Sequence, residues 1–265
     1  LPPHARLSAR STRHGTRRPP HHGASATAPR SVRRRRSPRR AHNGGVLAYT
    51  ADEVRAAEAP LLAAGVPLMA RAASGLADAV AAELSRLGVP LHEARILLLV
   101  GSGDNGGDTL HAGALLAARG ADVDYVPLGS RTHRAGESAA LAAGATRIDD
   151  APDGSEFRAA VEAADAILDG IVGIGASPGL REPARSAVVV ARARVVARAG
   201  ALPAAFAVDL PSGIHPDTGE APEPDAVLPA DVTVTFGACK TGLLRADPAV
   251  VGRIKLVDIG LGLPG

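Results

Sequence analysis

One stretch of the chain constrains its fold more than any other: a short apolar run followed at once by a glycine-rich segment. The run, residues 95–100, is apolar without alternation after its first residue, which is typical of a strand buried on both faces of a parallel sheet. Four glycines fall within residues 101–107, and residues 109–119 are predicted to form a helix that ends at Gly120. A strand, a glycine-rich turn and a helix N-terminus in this order present backbone N–H groups to a ligand.

The rest of the chain alternates apolar runs with segments of helical character. This alternation predicts an α/β fold, a doubly wound, mostly parallel Rossmann-like sheet with helices on both faces in three α/β/α layers. Ligands of such sheets bind beyond the carboxyl ends of the strands, where the loops 101–108, 169–179 and 209–213 are predicted to lie. The further predicted strands are residues 122–126, 146–148, 165–169, 204–209, 231–236 and 253–258, and the further helices are residues 134–143, 157–163 and 181–199.

The charged residues are distributed very unevenly along the chain. All twelve arginines within residues 1–40 precede the first acid, Asp52, and without them 18 basic residues stand against 27 acidic ones, a balance of −9. The predicted domain is therefore acidic, which argues against a nucleic-acid partner.

Residues 1–46 are dominated by Arg, Pro, His, Ser and Gly and show no apolar periodicity. Such a segment buries too little apolar surface to offset its ordering entropy, so we expect a disordered Arg/Pro-rich tail before one folded domain at residues 47–265. Tails of this kind can be nucleic-acid arms, transit peptides or upstream extensions of a coding region. No apolar run is long enough to cross a membrane, and the single cysteine, Cys239, favours a reducing, cytoplasmic setting.

Two helices are predicted ahead of the first long strand. Thr50 and Glu53 have the spacing of a capping box, and Pro67 suits the first turn of the second helix. Because the two helices lie outside the alternating series, we expect them to pair in a homodimer and bury an otherwise exposed apolar patch. The alternative is that both helices fold wholly onto their own sheet. The residues of the expected patch are Ala56, Ala57, Leu61, Leu62, Met69, Ala73 and Leu76.

The glycine-rich segment matches the G-x-G-x-x-G dinucleotide fingerprint, but its acids argue against a conventional NAD dehydrogenase. Asp104 and Asp108 would repel a bare pyrophosphate. Asp122 and Asp124 lie at the start and middle of the second strand, whereas a ribose-binding acid belongs at its end. Asp108 alternatively serves as the N-cap of the following helix.

Acids also end two of the predicted strands at the ligand edge. Asp169 and Asp209, together with Asn105 and Ser212, make an oxygen-rich cluster suited to a hard cation or to proton transfer. The neutral partners favour a monovalent ion over a tightly bound divalent one.

Together these segments resemble the NAD(P)H-hydrate epimerases, the family built on the N-terminal domain of YjeF. The resemblance covers residues 48–263 and depends on the order of the motifs, since each motif alone is unspecific. The family's usual Asn-Asn-Gly-Gly-Asp-Gly is here Asp104-Asn-Gly-Gly-Asp-Thr109. The matching segments are Tyr49-Thr-Ala-Asp-Glu-Val-Arg55 with Ala57-Glu58, Val100-Gly-Ser-Gly-Asp-Asn-Gly-Gly-Asp108, Leu168-Asp-Gly-Ile-Val-Gly-Ile-Gly175, Val208-Asp-Leu-Pro-Ser-Gly213, Ala230-Asp-Val-Thr-Val-Thr-Phe236, Lys240-Thr-Gly242 and Asp258-Ile-Gly260.

The resemblance implies an isomerase of metabolite repair. Such an enzyme interconverts the R and S epimers of hydrated NADH and NADPH (NADHX and NADPHX) at nicotinamide C6. A separate ADP- or ATP-dependent NAD(P)HX dehydratase, which in many bacteria is fused C-terminally, then restores the S form. No redox cofactor is implied, because NAD(P)HX is the substrate. The alternative is a non-catalytic relative that binds a nucleotide or a protein.

The resemblance also implies the roles of individual residues. Asp209 is expected to be the catalytic acid/base group, and one potassium ion per subunit is expected on Asn105, Asp169 and Ser212. The implied substrate-binding residues are Asp104, Asn105, Gly106, Gly107, Asp108, Gly173, Ile174, Gly175, Ala176, Ser177, Pro178, Gly179 and Asp209.

Overall fold

The computed structural model describes residues 42–43, 46–175, 177–198 and 200–263. The strands are β1 (His42–Asn43), β2 (Val46–Tyr49), β3 (Arg95–Val100), β4 (Asp122–Pro127), β5 (Thr146–Arg147), β6 (Ala166–Gly170), β7 (Ala204–Val208), β8 (Val232–Phe236), β9 (Cys239–Lys240) and β10 (Arg253–Val257). The helices are α1 (Ala51–Ala63), α2 (Leu68–Arg86), α3 (Asp104–Ala118), α4 (Arg134–Ala142), α5 (Ser155–Ala163), α6 (Ala184–Ala197) and α7 (Pro248–Val251).

Seven strands form one parallel sheet in the order β10-β8-β7-β6-β3-β4-β5. The chain leaves β3 towards β4 and β5 on one side, then returns through β6, β7 and β8 on the other. The order therefore reverses between β3 and β6, and this is the point at which doubly wound sheets open a ligand crevice. The predicted fold class is confirmed.

The strand β3 is buried on both faces, as its unbroken apolar run predicts. Ile96 and Leu98 belong to the core beneath α2, α3 and α4, whereas Leu97 and Leu99 belong to a second core beneath α5 and α6. The two cores give the protein its three layers.

The helix α2 lies on the sheet rather than beside it, which corrects part of the predicted dimer patch. Ala73 is 1% exposed and Leu76 is fully buried, because α2 packs against β7, β8 and β10. Only α1 stays largely uncovered, with Ala51 and Val54 as its buried residues and Leu62 58% exposed. The part of the predicted dimer patch that stays exposed is therefore mainly on α1.

The predicted capping box at the start of α1 is present. Thr50 Oγ1 accepts from Glu53 N at 3.3 Å, and Thr50 N donates to the Glu53 carboxylate at 2.8 Å. The second helix begins at Leu68, with Pro67 as its N-cap rather than in its first turn. Within the described ranges no single helix is long and apolar enough to cross a membrane; α1 and α2 would qualify only as a pair, which is bent by 117°.

A small second sheet, which the sequence analysis does not predict, joins the N-terminal residues to the site. Its strand order is β1-β2-β9, with Ala48 opposite Cys239 and Tyr49 opposite Lys240. The prediction of a disordered tail at residues 1–46 lies mostly outside the described residues, but residues 42–43 and 46 pair in this sheet. Two-residue strands have too few positions to show a periodic pattern, so the sheet leaves no signal in the sequence.

The helix α3 begins inside the glycine-rich segment, at Asp104 rather than at residue 109. Its N-cap is Gly103, so the alternative in which Asp108 caps the helix is wrong. A Cβ atom on Gly106 would lie 2.1 Å from the carbonyl oxygen of Gly101, and one on Gly101 would lie 1.7 Å from the carbonyl oxygen of Ile171. These two glycines therefore allow the helix and two strand ends to pack against one another.

Candidate active site

A cleft of about 1320 Å³ opens along the carboxyl edge of the sheet. It is bounded by the loops that follow β3, β6 and β7 and by one side of α1 and α2. Pockets for drug-sized ligands usually measure about 300–1,000 Å³, so this cleft has room for a dinucleotide.

Asp209 lies at the end of β7 and forms the most highly connected polar group of the cleft. It is 7% exposed, and its backbone adopts a left-handed conformation with φ 68°, which is uncommon for a residue with a side chain. The carboxylate Oδ1 accepts from Lys240 Nζ, from Thr235 Oγ1 at 3.2 Å and from Phe236 N at 3.3 Å. Strained backbone of this kind occurs often at functional sites, where the surrounding structure holds it in place.

Lys240 is a site residue that the sequence analysis did not single out. It is 1% exposed, and its ammonium group also donates to Thr235 Oγ1 at 3.1 Å and to Phe236 O at 2.8 Å. The ion pair with Asp209 satisfies the third donor and gives both buried charges a partner. The Lys240-Thr-Gly242 motif was the one sequence signal for this residue. It did not identify Lys240 as a site residue, because sequence alone does not show that this lysine is buried.

Three further acids border the cleft near Asp209. Burial raises the pKa of Asp108 well above its usual value, and the charges of Asp209, Asp104 and Glu58 raise it further against the opposing effect of Lys240. Burial likewise raises the pKa of Glu58, which also was not singled out from the sequence. In the described part of the chain the Asp108 carboxyl has no hydrogen-bond partner, and it lines the cleft, where a ligand can reach it.

Asp169, Ser212 and Asn105 gather around the backbone of residues 171–172. Asp169 is 1% exposed and accepts from Ser212 N at 2.8 Å and from Ile171 N at 3.4 Å. Ser212 Oγ accepts from Val172 N at 3.1 Å, and Asn105 Nδ2 donates to Val172 O at 3.0 Å. Burial raises the pKa of Asp169 to about 6, although the hydrogen bonds from Ser212 and Ile171 oppose the shift.

This cluster has the composition of a site for a weakly held cation. Within the described residues no cationic side chain pairs with Asp169, which leaves a buried carboxylate beside neutral oxygen donors. In the same part of the chain, no group of three or more His, Cys, Asp or Glu residues is arranged to hold a metal. The cluster therefore suits a monovalent, oxygen-seeking ion better than a divalent one.

The loop after β6 forms one wall of the cleft. Arg55 Nη2 on α1 donates to Ile174 O at 2.5 Å, and Gly179 N donates to Gly213 O at 2.9 Å. These bonds connect the loop to α1 on one side and to the loop after Asp209 on the other.

The structure brings most, but not all, of the predicted substrate-binding residues to the cleft. Gly106 and Gly107 are buried in α3 and do not line it; a Cβ on Gly107 would lie 2.9 Å from the side chains of His133 and Met69. Ala176 falls outside the described residues. The predicted residues that line the cleft are Asp104, Asn105, Asp108, Gly173, Ile174, Gly175, Ser177, Pro178, Gly179 and Asp209.

The fold has a counterpart among solved structures. The crystal structure of the yeast protein YNL200c superposes with a TM-score of 0.65 at 18% sequence identity, covering 79% of this chain and 86% of that one. At this identity the similarity concerns the fold alone.

Sequence comparison gives much closer relatives. The NAD(P)H-hydrate epimerase of Microbacterium testaceum is 51% identical over 220 residues, which cover 82% of this chain and 79% of that protein. The NAD(P)H-hydrate epimerase of Clavibacter michiganensis is 46% identical over 222 residues, covering 82% and 92%. The bifunctional NAD(P)H-hydrate repair enzyme Nnr of Mycobacterium tuberculosis is 42% identical over 219 residues, but the match covers only 42% of its length. The model of the YjeF-related protein N-terminus matches residues 65–242, and the chain belongs to this family.

Proposed function

We propose that this protein is an NAD(P)H-hydrate epimerase, an isomerase that interconverts the R and S epimers of NADHX and NADPHX at nicotinamide C6. The observation that carries the proposal is the buried Asp209–Lys240 pair at one end of a dinucleotide-sized cleft. Relatives with this activity in their names are 46–51% identical to the chain over the aligned residues. A protein that only held a nucleotide would have no need of a buried, charged acid/base group at this position.

Inversion at C6 requires a proton to move at the C6 oxygen. Either hydroxide leaves and water adds to the other face, or the ring opens at the C6–N1 bond and closes again. When hydroxide leaves, the lone pair of N1 supplies the electrons. When the ring opens, the C6 oxygen loses its proton and forms a carbonyl, and N1 takes the electron pair of the broken bond and a proton; closure reverses these movements. In both routes a side chain within hydrogen-bond reach can move the proton. General acid/base catalysis of this kind contributes about 10²–10⁴-fold to the rate.

Asp209 and Asp108 have the environments of a base and an acid. Asp209 forms an ion pair with the ammonium group of Lys240, and its carboxylate can accept a proton from the C6 hydroxyl or from an adding water. The raised pKa of Asp108 favours the protonated carboxyl, which can donate a proton to departing hydroxide. Two carboxyl groups in different environments can divide the acid and base roles between them. We assign Asp209 as the base in the forward direction, with the roles exchanged in reverse.

A potassium ion fits the cluster at Asn105, Asp169 and Ser212. The buried carboxylate of Asp169 supplies the charge, and the amide and hydroxyl oxygens supply neutral ligands. The bound ion would offset the acids that repel the pyrophosphate of the substrate. We propose that these three residues also fix the positions of the loops after β3, β6 and β7 relative to one another around the substrate.

We further propose a homodimer that pairs through α1, and a functional partnership with an ADP- or ATP-dependent dehydratase. The bifunctional Nnr relatives combine two repair activities in their names, and the exposed Leu62 offers an apolar contact on α1. The cytoplasmic setting is likewise a proposal.

The proposed function is tested by incubating the protein with a mixture of the R and S epimers and following exchange at C6 by NMR. We expect clear acceleration by the wild type and a loss of about 100-fold or more in Asp209→Asn. Asp78→Asn, a change at an exposed acid of α2, serves as the matched control and should keep full activity. Wild-type turnover in Asp209→Asn would remove this residue from the mechanism. A wild type without activity would favour the non-catalytic binding protein.

A further inference from the structure

A second cavity of about 510 Å³ adjoins the cleft, and we infer that it binds the adenosine end of the substrate, with Arg131 recognising the 2′-phosphate of NADPHX. This cavity, here called the side pocket, lies where the strands β4 and β5 end. Leu128, Gly129, Ser130 and Pro183 line both the side pocket and the main cleft, so the two are continuous. The inference depends on the proposed function, because it assigns one end of the same substrate.

The strand order puts the side pocket at a suitable distance from the reacting end. Asp209 follows β7, Asp169 lies near the end of β6 and Asn105 follows β3, whereas the side pocket lies beyond β4 and β5. From β7 to β4 the sheet advances by three strand spacings, or about 14 Å. An elongated dinucleotide with its nicotinamide at Asp209 would therefore cross β6 and β3 and reach the side pocket with its adenosine.

Among the described charged residues of the side pocket, only Arg131 has neither a hydrogen-bond nor an ion-pair partner. Arg131 is exposed and makes no hydrogen bond or ion pair with any residue in the described ranges. Arg147, by contrast, is engaged by Glu137 and, at 2.7 Å, by Asp149. Asp150 accepts from backbone N–H groups, Glu156 N among them at 2.9 Å. A guanidinium without a partner is well suited to a phosphate group.

The residues after β4 also differ from those of an NAD-specific Rossmann site. Such a site places a carboxylate at the end of the second strand to bind the ribose 2′-hydroxyl, whereas an arginine nearby accommodates a 2′-phosphate. Here β4 ends at Pro127 and continues as Leu128, Gly129, Ser130 and Arg131. This position therefore has the character of an NADP site.

A second charged stretch lines the main cleft. It contains Glu182 and Glu223, which both pair with Arg185. Arg181 lines the cleft as well, and is the competing candidate that the experiment must separate from Arg131.

The test compares kcat/KM for NADPHX and NADHX in the wild type, Arg131→Ala and Arg181→Ala. Arg134→Ala is the matched control, because Arg134 is an exposed arginine at the start of α4 that lines neither cavity. We expect Arg131→Ala to lower kcat/KM for NADPHX by about tenfold or more and to change that for NADHX by less than about twofold. The control should change neither. Equal losses for both substrates, no loss for either, or a selective loss in Arg181→Ala would overturn the inference.

A binding measurement separates this inference from the proposed function. Adenosine 2′,5′-bisphosphate should bind the wild type about tenfold more tightly than AMP does, and Arg131→Ala should remove the difference. Calorimetry gives both affinities without turnover, so a catalytically inactive protein would still test the side pocket. Equal affinities of the wild type for the two nucleotides would overturn the inference even if the protein epimerises NADHX.

Discussion

Replacing Lys240 with Met removes an ammonium group from a position that solvent hardly reaches. Lys240 is 1% exposed, and Met has a similar length, so little cavity is created. The change leaves Asp209, itself 7% exposed, as a buried carboxylate without its counter-charge. Breaking a buried ion pair from one side costs about 3–5 kcal/mol. Asp209 keeps its hydrogen bonds from Thr235 and Phe236 and borders the cleft. We therefore expect the free energy of unfolding to fall by about 3 kcal/mol, the lower end of this range.

Urea unfolding of four proteins measures the pair directly: the wild type, Lys240→Met, Asp209→Asn and the double variant. With a slope of about 3 kcal/mol per molar urea, the single change at Lys240 should lower the midpoint by about 1 M. The double variant should be less destabilised than the two single changes combined, with a coupling energy of about 1.5–3 kcal/mol. Lys255→Met, at the exposed lysine of β10, is the control and should unfold at the wild-type midpoint.

The result that would refute this reasoning is additivity. If the two single changes sum to the double change within about 0.5 kcal/mol, the pair contributes no specific coupling. A wild-type midpoint in Lys240→Met would show that Asp209 does not depend on the ammonium group for its charge.

Three further predictions test the packing, the electrostatics and the assembly. Gly106→Ala should lower the free energy of unfolding by about 1–3 kcal/mol, because the new methyl group would overlap a backbone carbonyl. In the control Gly103→Ala the methyl group meets no atom within 4 Å and should be tolerated, and equal stability of the two variants in urea would contradict the packing argument. Folding raises the pKa of Asp108, so the folded protein binds this proton more tightly than the unfolded chain, and stability should fall as pH rises above about 4. Asp108→Asn should flatten this decline and raise Tm at pH 8, and an unchanged pH profile of Tm in the variant would contradict the argument. Leu62→Glu on α1 should convert a sedimenting dimer to a monomer while Val196→Glu on α6 does not, and a wild type that is already monomeric at micromolar concentration would end the proposal.

The sequence by itself determined the sheet and the edge at which ligands bind. An unbroken apolar run such as Arg95–Val100 has few stable placements other than a strand covered on both faces, and its neighbours repeat the pattern. Because parallel strands share one carboxyl edge, the sequence predicts that the acids at the ends of two of them, Asp169 and Asp209, lie close together. The ordered motifs likewise identified the family that the comparisons confirm.

Only the tertiary structure decided which groups meet at that edge. Lys240 lies 31 positions beyond Asp209 and reaches it through a two-residue strand, which no local pattern reveals. The glycines at 106 and 107 favour a loop by intrinsic propensity, yet both are helical. A side chain on Gly106 would meet the Gly101 carbonyl, and one on Gly107 would meet His133 and Met69, so tertiary contacts require glycine at both positions. The helix α2 covers β7, β8 and β10, since that part of the sheet would otherwise expose its apolar face. Local periodicity reports how a segment folds and which side it buries, whereas the partner on that side is set by contacts between distant parts of the chain.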